Sequence, residues 1–502
     1  MDLPKNIFFF SHNEQIPHWD ELAQNLKAAY NYNTILLVLG KSDHTLGQKC
    51  KGFNEVIDIL PDISSKQQIN PLEEDYQHKI AVLRNLESRA GQLFIQEDIS
   101  MDRYFKGSAN PEVDLKDYTQ SWKHEQTIYF MGAVCEKLEE LFKSYQPALI
   151  YQETNSAPYR LAWRIAQLYN CKSGYVMLAR GWDKRVYFED GLCLEWNKFR
   201  EVYNSLDLNN LDTDFLEKIR SRHKQITSTK EIPKTYFQFS KKPDGLLKRI
   251  APSRLMQNAK NKKHFTEENW MFNPRSVSQE LFTYGQKFRR YLRRKASFEY
   301  YTQNCRDTFD LAQEYAIYFL HVQPEITVEE SAFEYMDQVA TIRNIAAALP
   351  AGMPLIVREH RPSAGRRPIE FYAELVHIPN VIMLGGDFHS HDLIKNAKVV
   401  TTLTGTVAIE AMYYAIPVIV LGSIYFNLCK GVYHPHSISE LKKLFNTIND
   451  LKGANEDDVA RFLAASYIAS SPGRTFGLGI KEVNDTEAMN SSIEFIRSVI
   501  ES

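Results

Sequence analysis

The residues best suited to chemistry lie in Thr401–Gly422, which reads TTLTGTVAIEAMYYAIPVIVLG. The pattern predicts a strand end, a glycine turn, a short helix and a second strand. Gly405 lets the backbone approach a ligand, and the hydroxyl of Thr404 or Thr406 is predicted to cap the helix. Helix N-termini attract anions through unpaired N–H groups and the helix dipole. Glu410 follows about one turn later, where an acid can bind two sugar hydroxyls. One turn of chain is therefore predicted to hold phosphate and ribose.

A polar loop, His321-Val-Gln-Pro-Glu325, follows another predicted strand. His321, Gln323 and Glu325 alternate in direction and are predicted to contact a base edge or a sugar hydroxyl. The alternative is a polar turn that only begins the next helix.

A second polar loop, Arg358-Glu-His-Arg-Pro362, also follows a predicted strand. Arg358 is suited to bidentate phosphate binding. His360 can donate to phosphate or carry a proton. The alternative is a surface turn with salt bridges, and the neighbouring Arg366 and Arg367 are expected to add charge or to be solvated.

The third loop, Gly385-Gly-Asp-Phe-His-Ser-His-Asp392, contains two histidines and an acid that resemble a metal-ligand set. Ser390 followed by Asp392 is more typical of a helix start, where the dipole favours an acid. We therefore predict a helix here and no metal site.

The first 200 residues contain four candidates for a general base. His12 and Glu14 follow the first predicted strand, Glu153 follows another, and Asp183 follows a third. A base that deprotonates an acceptor hydroxyl is expected on this half, because the acceptor enters from it. The sequence does not rank the four, and loops that merely lead into helices remain the alternative.

The elements that must position these residues alternate between strand and helix, which predicts parallel sheets covered by helices. In the first half, strands are predicted at Ile7–Phe10, Thr34–Leu39, Val56–Leu60, Ala148–Tyr151 and Gly174–Leu178, and helices at Trp19–Tyr30, Thr127–Tyr145 and Tyr159–Tyr169. In the second half, strands are predicted at Ile317–Leu320, Pro354–Arg358, Val381–Met383, Lys398–Thr401 and Val418–Leu421, and helices at Ser331–Leu349, Ser390–Lys395 and Asp485–Ser502.

The rhythm predicts four segments: a first α/β domain over 1–200, a linker or insertion over 201–310, a second α/β domain over 311–480, and a final helix over 481–502. At 502 residues, the chain is long enough for two or three cores. Ligands of open α/β sheets bind beyond the carboxyl ends of the strands, so the two domains are expected to face each other across a cleft.

Composition narrows the class of protein. The net charge is −2 and 44% of the residues are hydrophobic, as in ordinary globular proteins. No apolar run reaches the roughly 18–20 residues of a membrane span, and the first residues are not typical of a signal peptide. The six cysteines form no CxxC pair. Disulfides and zinc are therefore not expected, and a cytoplasmic location is predicted.

The middle of the chain is basic, with 18 Lys and Arg residues against 6 Asp and Glu residues between Lys224 and Tyr300. The run Lys287–Lys295 combines basic residues with apolar ones at helical spacing. A solvated connecting helix and a surface for anionic lipid headgroups are both compatible with it. Nucleic acid is not expected as a partner, because no recognised binding module surrounds the run.

The loops together resemble the bacterial capsule polysaccharide biosynthesis family of GT-B glycosyltransferases, the group that includes β-Kdo transferases. The resemblance covers roughly residues 315–435. It depends on the loop at 321–325, on Val357–Pro362, on Asp387–Ile394, and on Thr404–Ala411 with Pro417–Gly422. One departure is Arg361, which separates His360 from Pro362 where the family has a Lys-Glu-His-Pro run.

The resemblance implies two Rossmann-like domains, with a nucleotide-sugar donor bound mostly by the second. It also implies sugar transfer to a hydroxyl of a glycan or glycolipid without a bound metal or cofactor. CMP-Kdo is the donor that the family favours, while UDP- and GDP-linked sugars stay open. A nucleotide-sugar epimerase of the same architecture and a non-catalytic assembly or export partner are the alternatives.

Overall fold

A computed structural model describes residues 5–12, 15–61, 68–102, 105, 122–152, 156–179, 181–182, 184–188, 196–230, 277–323, 325–360, 363–471 and 486–501. Within these residues, two six-stranded sheets organise the chain. None of the described helices combines the length and the apolar character that a membrane span requires.

The first sheet has the strand order β3-β2-β1-β4-β5-β6, with all neighbours parallel except β5 and β6. Its strands are β1 (Asn6–Phe10), β2 (Asn33–Val38), β3 (Glu55–Asp58), β4 (Leu149–Gln152), β5 (Lys172–Leu178) and β6 (Arg185–Phe188). The helices around it are α1 (Ile16–Tyr30), α2 (Lys41–Gly47), α3 (Glu74–Ala90), α4 (Ile95–Met101), α5 (His124–Tyr145) and α6 (Ala157–Leu168).

Strand β1 shows why this sheet is covered on both faces. Phe8 and Phe10 pack into one apolar core, while Ile7 and Phe9 pack into another. Alternate side chains of a strand point to opposite faces. A run of consecutive apolar residues therefore requires helices on both sides, as in parallel sheets.

The second sheet has the order β12-β11-β10-β7-β8-β9 and is parallel throughout. Its strands are β7 (Ala316–Phe319), β8 (Leu355–Arg358), β9 (Val381–Leu384), β10 (Val399–Thr402), β11 (Val418–Val420) and β12 (Val432–Tyr433). The helices around it are α10 (Ile326–Ser331), α11 (Gln338–Ala348), α12 (Ile369–Val376), α13 (Ser390–Lys395), α14 (Val407–Tyr413), α15 (Ile438–Asn446) and α16 (Glu456–Ala469).

Both sheets have the strand order of the doubly wound dinucleotide-binding fold. Counted within each sheet, the order is 3-2-1-4-5-6, so the winding reverses between β1 and β4 in the first sheet and between β7 and β10 in the second. The prediction of two Rossmann-like α/β domains is confirmed.

Three described helices lie in the chain between β6 and β7: α7 (Asn197–Ser205), α8 (Thr213–Thr229) and α9 (Val277–Asn304). Trp196, Phe199 and Ile219 are buried in the core of the second sheet. Helix α9 contacts α12, and Ser297 on it donates to the carbonyl of Arg367. Much of the described part of the predicted linker thus packs on the second domain.

The final helix, α17 (Thr486–Glu501), returns to the first domain. Met489, Ile493 and Ile496 share an apolar core with Ile7 and Trp19. The chain therefore crosses between the domains twice, once before α7 and once after α16.

One predicted element is wrong. A single helix over Ser331–Leu349 is replaced by α10, a 3-10 turn at Phe333–Tyr335, and α11. The carboxylate of Asp337 accepts the N–H of Ala340 at 3.0 Å and starts α11 as an N-cap. This break brings the next residue, Gln338, beside the loop after β7.

Candidate functional site

The second sheet brings two of the predicted loops together where its winding reverses. His321 follows β7 and Thr402 ends β10, the neighbouring strand. The Nε2 atom of His321 lies 3.2 Å from the hydroxyl of Thr402, and it accepts the N–H of Thr404 at 3.4 Å. This geometry assigns Nε2 as the acceptor and the ring proton to Nδ1. Ligands of this fold bind at such a reversal.

Gly405 is required for this close approach. A Cβ atom at this position would lie 2.7 Å from Thr402 Oγ1 and 3.2 Å from His321 Nε2. The Gly405 N–H donates to Thr402 Oγ1 at 3.2 Å. The prediction that a threonine hydroxyl caps α14 is wrong, because Thr406 is the N-cap and makes no capping hydrogen bond with its side chain.

Glu410 lies on α14 and is 9% exposed. Its Oε2 atom is 3.7 Å from Nε2 of His391, a fully buried side chain whose Nδ1 lies 2.7 Å from the hydroxyl of Tyr414. The carboxylate thus faces α13 as well as the turn before α14. Its predicted contact with a ribose stays a prediction.

The loop at Gly385–Asp392 starts a helix, as predicted: α13 spans Ser390–Lys395. Asp392 in its first turn lies 2.6 Å from the ammonium of Lys230, which holds the pKa of that carboxyl below its usual range. The described residues contain no group of three or more His, Cys, Asp or Glu side chains arranged for a metal.

Sequence reasoning missed Gln338 as a support of His321. The Gln338 side chain accepts the N–H of His321 at 2.8 Å and donates to its carbonyl at 3.1 Å. It also donates to the side chain of Gln323 at 2.7 Å. Gln338 is 1% exposed. The only sequence signal was the Asp337 cap that begins α11 at this residue.

Arg367 is the second support of His321, and the expectation that it is solvated is wrong. Its guanidinium is fully buried, donates to the His321 carbonyl, and lies 2.7 Å from the carboxylate of Glu359. Tyr372 donates to the same carboxylate at 2.8 Å. A buried charge is tolerated when it is paired and hydrogen-bonded, and here the pair also fixes the loop after β7.

Arg358 is directed at the backbone. Its guanidinium donates to the carbonyls of Leu384, Gly385 and Gly386, at 2.7 Å and 3.0 Å for the first and last. It therefore anchors the turn after β9, and its predicted phosphate contact stays a prediction.

The remaining members of these loops are also placed. Burial lowers the pKa of His360, so its imidazole is neutral at pH 7. The side chain of Gln323 donates to the carbonyl of Met336 at 2.7 Å. Glu325 is the N-cap residue of α10.

In the first domain, His12 follows β1, next to β4, where that sheet reverses. Its Nδ1 atom lies 3.1 Å from the hydroxyl of Tyr159. Tyr159 is 1% exposed and stacks on Phe10 with ring centroids 4.1 Å apart. Gln152, the last residue of β4, donates to the Tyr159 carbonyl at 2.9 Å. The other base candidates, Glu14, Glu153 and Asp183, lie outside the described residues.

The carboxyl edges of the two sheets meet. Arg160, in the first turn of the helix after β4, lies 2.9 Å from Glu330 on the helix after β7. His12 lies at the carboxyl edge of the first sheet, and His321 and Gly405 lie at the carboxyl edge of the second. The contact between Arg160 and Glu330 joins these two edges. We call the space between these edges the interdomain cleft.

Residues 251–446 match the sequence model of the family described as capsule polysaccharide biosynthesis protein. The resemblance is therefore confirmed over this segment. We call residues 251–446 the matched segment, and it contains every loop predicted to bind the donor, from His321 to Glu410. His12 and the other base candidates lie outside it. A comparison with curated protein sequences found no match.

Solved structures give weaker likenesses. KpsC of Thermosulfurimonas dismutans, a β-Kdo 2,7 transferase, has 10% identity and a TM-score of 0.34, with 72% of this chain and 89% of that chain covered. UDP-GlcNAc 2-epimerase of Neisseria meningitidis, bound to UDP-GlcNAc, has 10% identity and a TM-score of 0.28, with 99% and 100% covered. Values this low carry no argument about activity.

Proposed function

We propose that the chain is a glycosyltransferase that moves a sugar from a nucleotide-activated donor to a hydroxyl of a cell-surface polysaccharide or glycolipid precursor. One observation carries the proposal. The turn at Thr404–Thr406, at the reversal point of the second sheet, lies within the matched segment. The Arg160–Glu330 contact joins the carboxyl edge of that sheet to the edge of the first sheet that carries His12.

In this proposal, the donor nucleotide lies against Gly405–Glu410. The turn at Thr404–Thr406 lies against the phosphate, and Glu410 accepts from the ribose hydroxyls. The N–H groups of Thr404 and Gly405 hold this turn in place by donating to His321 Nε2 and Thr402 Oγ1. His321 faces the base or the donor sugar, with Gln323 and Glu325 shaping the loop. Arg358 contributes by holding the turn after β9.

The reaction needs one base and one stabilised leaving group. A base of the first domain takes the proton of the acceptor hydroxyl, its oxygen bonds to the anomeric carbon, and the bond from that carbon to the donor phosphate breaks. His12, Glu14, Glu153 and Asp183 remain the candidates for the base. Charge on the leaving phosphate is met by the positive N-terminal end of α14 and by a neutral, N–H-donating His360. The step as proposed uses no metal and no bound cofactor.

Donor class is tested by a thermal-shift screen with CMP, UDP and GDP. The proposal expects one of them to raise the melting temperature, since a ligand that binds only the folded state stabilises it. CMP is the favoured outcome, with CMP-Kdo as the donor. Protection by none of the three supports the non-catalytic assembly partner instead.

Glu410 is tested by calorimetry with the nucleotide that the screen selects. Glu410→Gln is expected to weaken binding strongly, because the amide cannot accept as an anion from two hydroxyls. Unchanged affinity removes the ribose role. Incubation with donor alone then separates the reactions: isomerised donor sugar identifies an epimerase, whereas turnover only with an acceptor supports a transferase.

The basic stretch supports a second part of the proposal: peripheral binding to anionic lipid on the inner face of the plasma membrane, from the cytoplasm. Arg289, Arg293 and Lys295 on α9 are exposed, and most of the remaining stretch, 231–276, lies outside the described residues. The protein is expected to sediment with anionic liposomes at low salt and to be released at high salt. Absence of binding at low salt leaves the stretch as a connecting segment.

A further inference from the structure

A buried charged group joins the two domains beside the cleft. Arg160 on α6 lies 3.0 Å from Oδ1 of Asp98 on α4 and 2.9 Å from Oε1 of Glu330 on α10. The three side chains are only 3%, 3% and 4% exposed for Arg160, Asp98 and Glu330. We call these three residues the junction cluster. Asp98 and Arg160 belong to the first domain and Glu330 to the second.

Burying these three ionisable side chains costs free energy, because their charged forms lose their solvation by water. Burial raises the pKa values of Glu330 and Asp98, although Arg160 acts in the opposite direction on both. Replacing a buried ion pair by apolar groups is often neutral or stabilising. A gain in stability therefore does not explain the junction cluster. Its position between the two domains indicates a role in holding them relative to each other.

The first turn of α6 is tied to the proposed site of the first domain. Asp102 accepts the N–H of Ala157 at 2.5 Å and fixes the start of this helix. Tyr159, the residue before Arg160, lies 3.1 Å from Nδ1 of His12. A shift of this turn therefore moves the partner of His12.

Glu330 is tied in the same way to the donor side. It lies on α10, which follows the loop that begins at His321. Gln338 and Arg367 hold the His321 end of that loop. Through its contact with Glu330, Arg160 is therefore linked to the segment after β7 that contains the predicted donor-binding residues.

A second described interdomain contact has a different chemistry. Trp182 and Lys184 donate to the carbonyls of Leu463 and Tyr467 on α16, at 2.9 Å and 3.2 Å. Gly181 also lies against Leu463 and Tyr413. This packed joint lies close in sequence to Phe188 and Ser471, the last described residues before the chain passes to the other domain. On opening, its apolar surface would be exposed to water, whereas the charges of the junction cluster would be solvated by water.

We propose that Arg160 is an interdomain positioning residue, whose contact with Glu330 holds the loop after β7 at a set distance from the first turn of α6. The proposal rests on the proposed function, because it explains how the donor side and the His12 side face each other. Domains packed through one joint are expected to move about it. The junction cluster restrains that motion at the cleft.

Small-angle X-ray scattering of the nucleotide-free protein tests the restraint directly. Glu330→Ala removes the contact and is expected to increase the radius of gyration. Glu330→Gln keeps the side-chain shape and a neutral acceptor, so it is expected to give a smaller increase and serves as the milder variant. Lys79→Met is the matched control. It breaks the ion pair between Lys79 and Glu136, whose charged atoms lie 2.5 Å apart within the first domain. An unchanged radius of gyration in both Glu330 variants overturns the inference.

Binding and turnover give the second readout. With an acceptor and the sugar donor of the nucleotide that the screen selects, Glu330→Ala is expected to lower turnover about tenfold, because misplaced reacting groups lose rate steeply. Arg160→Lys, which keeps the charge, is expected to restore part of the loss relative to Arg160→Met. Rates equal to wild type in Arg160→Met contradict the inference. If no nucleotide binds wild type, the proposed function fails, while scattering still decides whether the restraint exists.

Discussion

The two domains share a strand order but differ in how their candidate residues are supported. In the second domain, His321 is held by Gln338 and Arg367 through its backbone and by Thr402 and Thr404 through its ring. In the first domain, Nδ1 of His12 lies 3.1 Å from the hydroxyl of Tyr159, and three further candidates lie outside the described residues.

Under the proposed function, this difference corresponds to a division of work between the domains. A rigid, densely hydrogen-bonded turn suits a nucleotide that must bind in one pose, because little ordering remains to be done on binding. In the first domain, a histidine that contacts a tyrosine hydroxyl suits proton transfer, where catalytic hydrogen bonds tighten only with substrate. Variants of His321, Gly405 and their supports should therefore change nucleotide affinity, and variants of His12 should change turnover alone.

The largest effect is expected from His12→Gln. If His12 is the base, turnover with donor and acceptor falls at least about a hundredfold, while nucleotide affinity by calorimetry stays at the wild-type value. Turnover close to wild type moves the role to Glu14, Glu153 or Asp183. Loss of nucleotide affinity breaks the proposed division between the domains.

Gly405→Ala is expected to lower nucleotide affinity by up to about a hundredfold. The new methyl group displaces His321 or Thr402 from contacts that leave no room for it, and displacement on the ångström scale has effects of this size. Calorimetry measures the loss. Gly91→Asn is a control, since Gly91 ends α3 with a φ of 70° that asparagine tolerates and has nothing within 4 Å. Equal affinities for Gly405→Ala and wild type would separate this turn from the donor.

Gln338→Leu is expected to weaken nucleotide binding roughly tenfold and to lower stability by about 1–3 kcal/mol, because the buried N–H of His321 loses its acceptor while its C=O keeps only Arg367. Asn380→Leu is the matched control: its amide donates to the Ala346 carbonyl at 2.8 Å, away from His321. Calorimetry and thermal unfolding measure the two effects. A similar loss of affinity in both variants would show that general destabilisation, rather than the placement of His321, is responsible.

The smallest effect is expected from the titration of His360. Burial lowers its pKa below the usual 6.5, so the unfolded chain binds this proton more readily than the folded protein. The stability that this group contributes is present above pH 6.5 and is lost as the pH falls below it. His360→Asn should flatten that part of the stability curve, measured by thermal unfolding between pH 5 and 8, roughly around the usual histidine pKa. An unchanged curve would show that His360 is not shielded.

Local patterns predicted most elements of the fold. The strands near Ile7, Thr34, Pro354 and Val418 could be predicted because each is a short apolar run bounded by turns. Helix α13 has the same first and last residues as predicted. The helix over Ser331–Leu349 was wrong because apolar spacing alone does not reveal that Asp337 starts a new helix. Strand β6, which pairs antiparallel with β5, was not predicted.

Part of the candidate site could be predicted from the sequence for the same reason. Polar residues after apolar runs marked His321, Arg358, Gly405 and His12, because strand ends can be read locally. Gln338 and Arg367 were missed as supports, since each acts on a residue distant in the chain. Burial also reversed the expectation for Arg367, whose charge is paired with Glu359 below the loop.

The sequence by itself determined the alternation of strands and helices, the basic middle, and the glycine turn of the second domain, because these depend on neighbouring residues. Only the tertiary structure decided which loops meet. The strand order placed the segments after β7 and β10 side by side, and the folding of α6 onto α10 brought Arg160 to Glu330. Hydrogen bonds and ion pairs act over a few ångströms, so which of them form depends on distances that the whole fold sets.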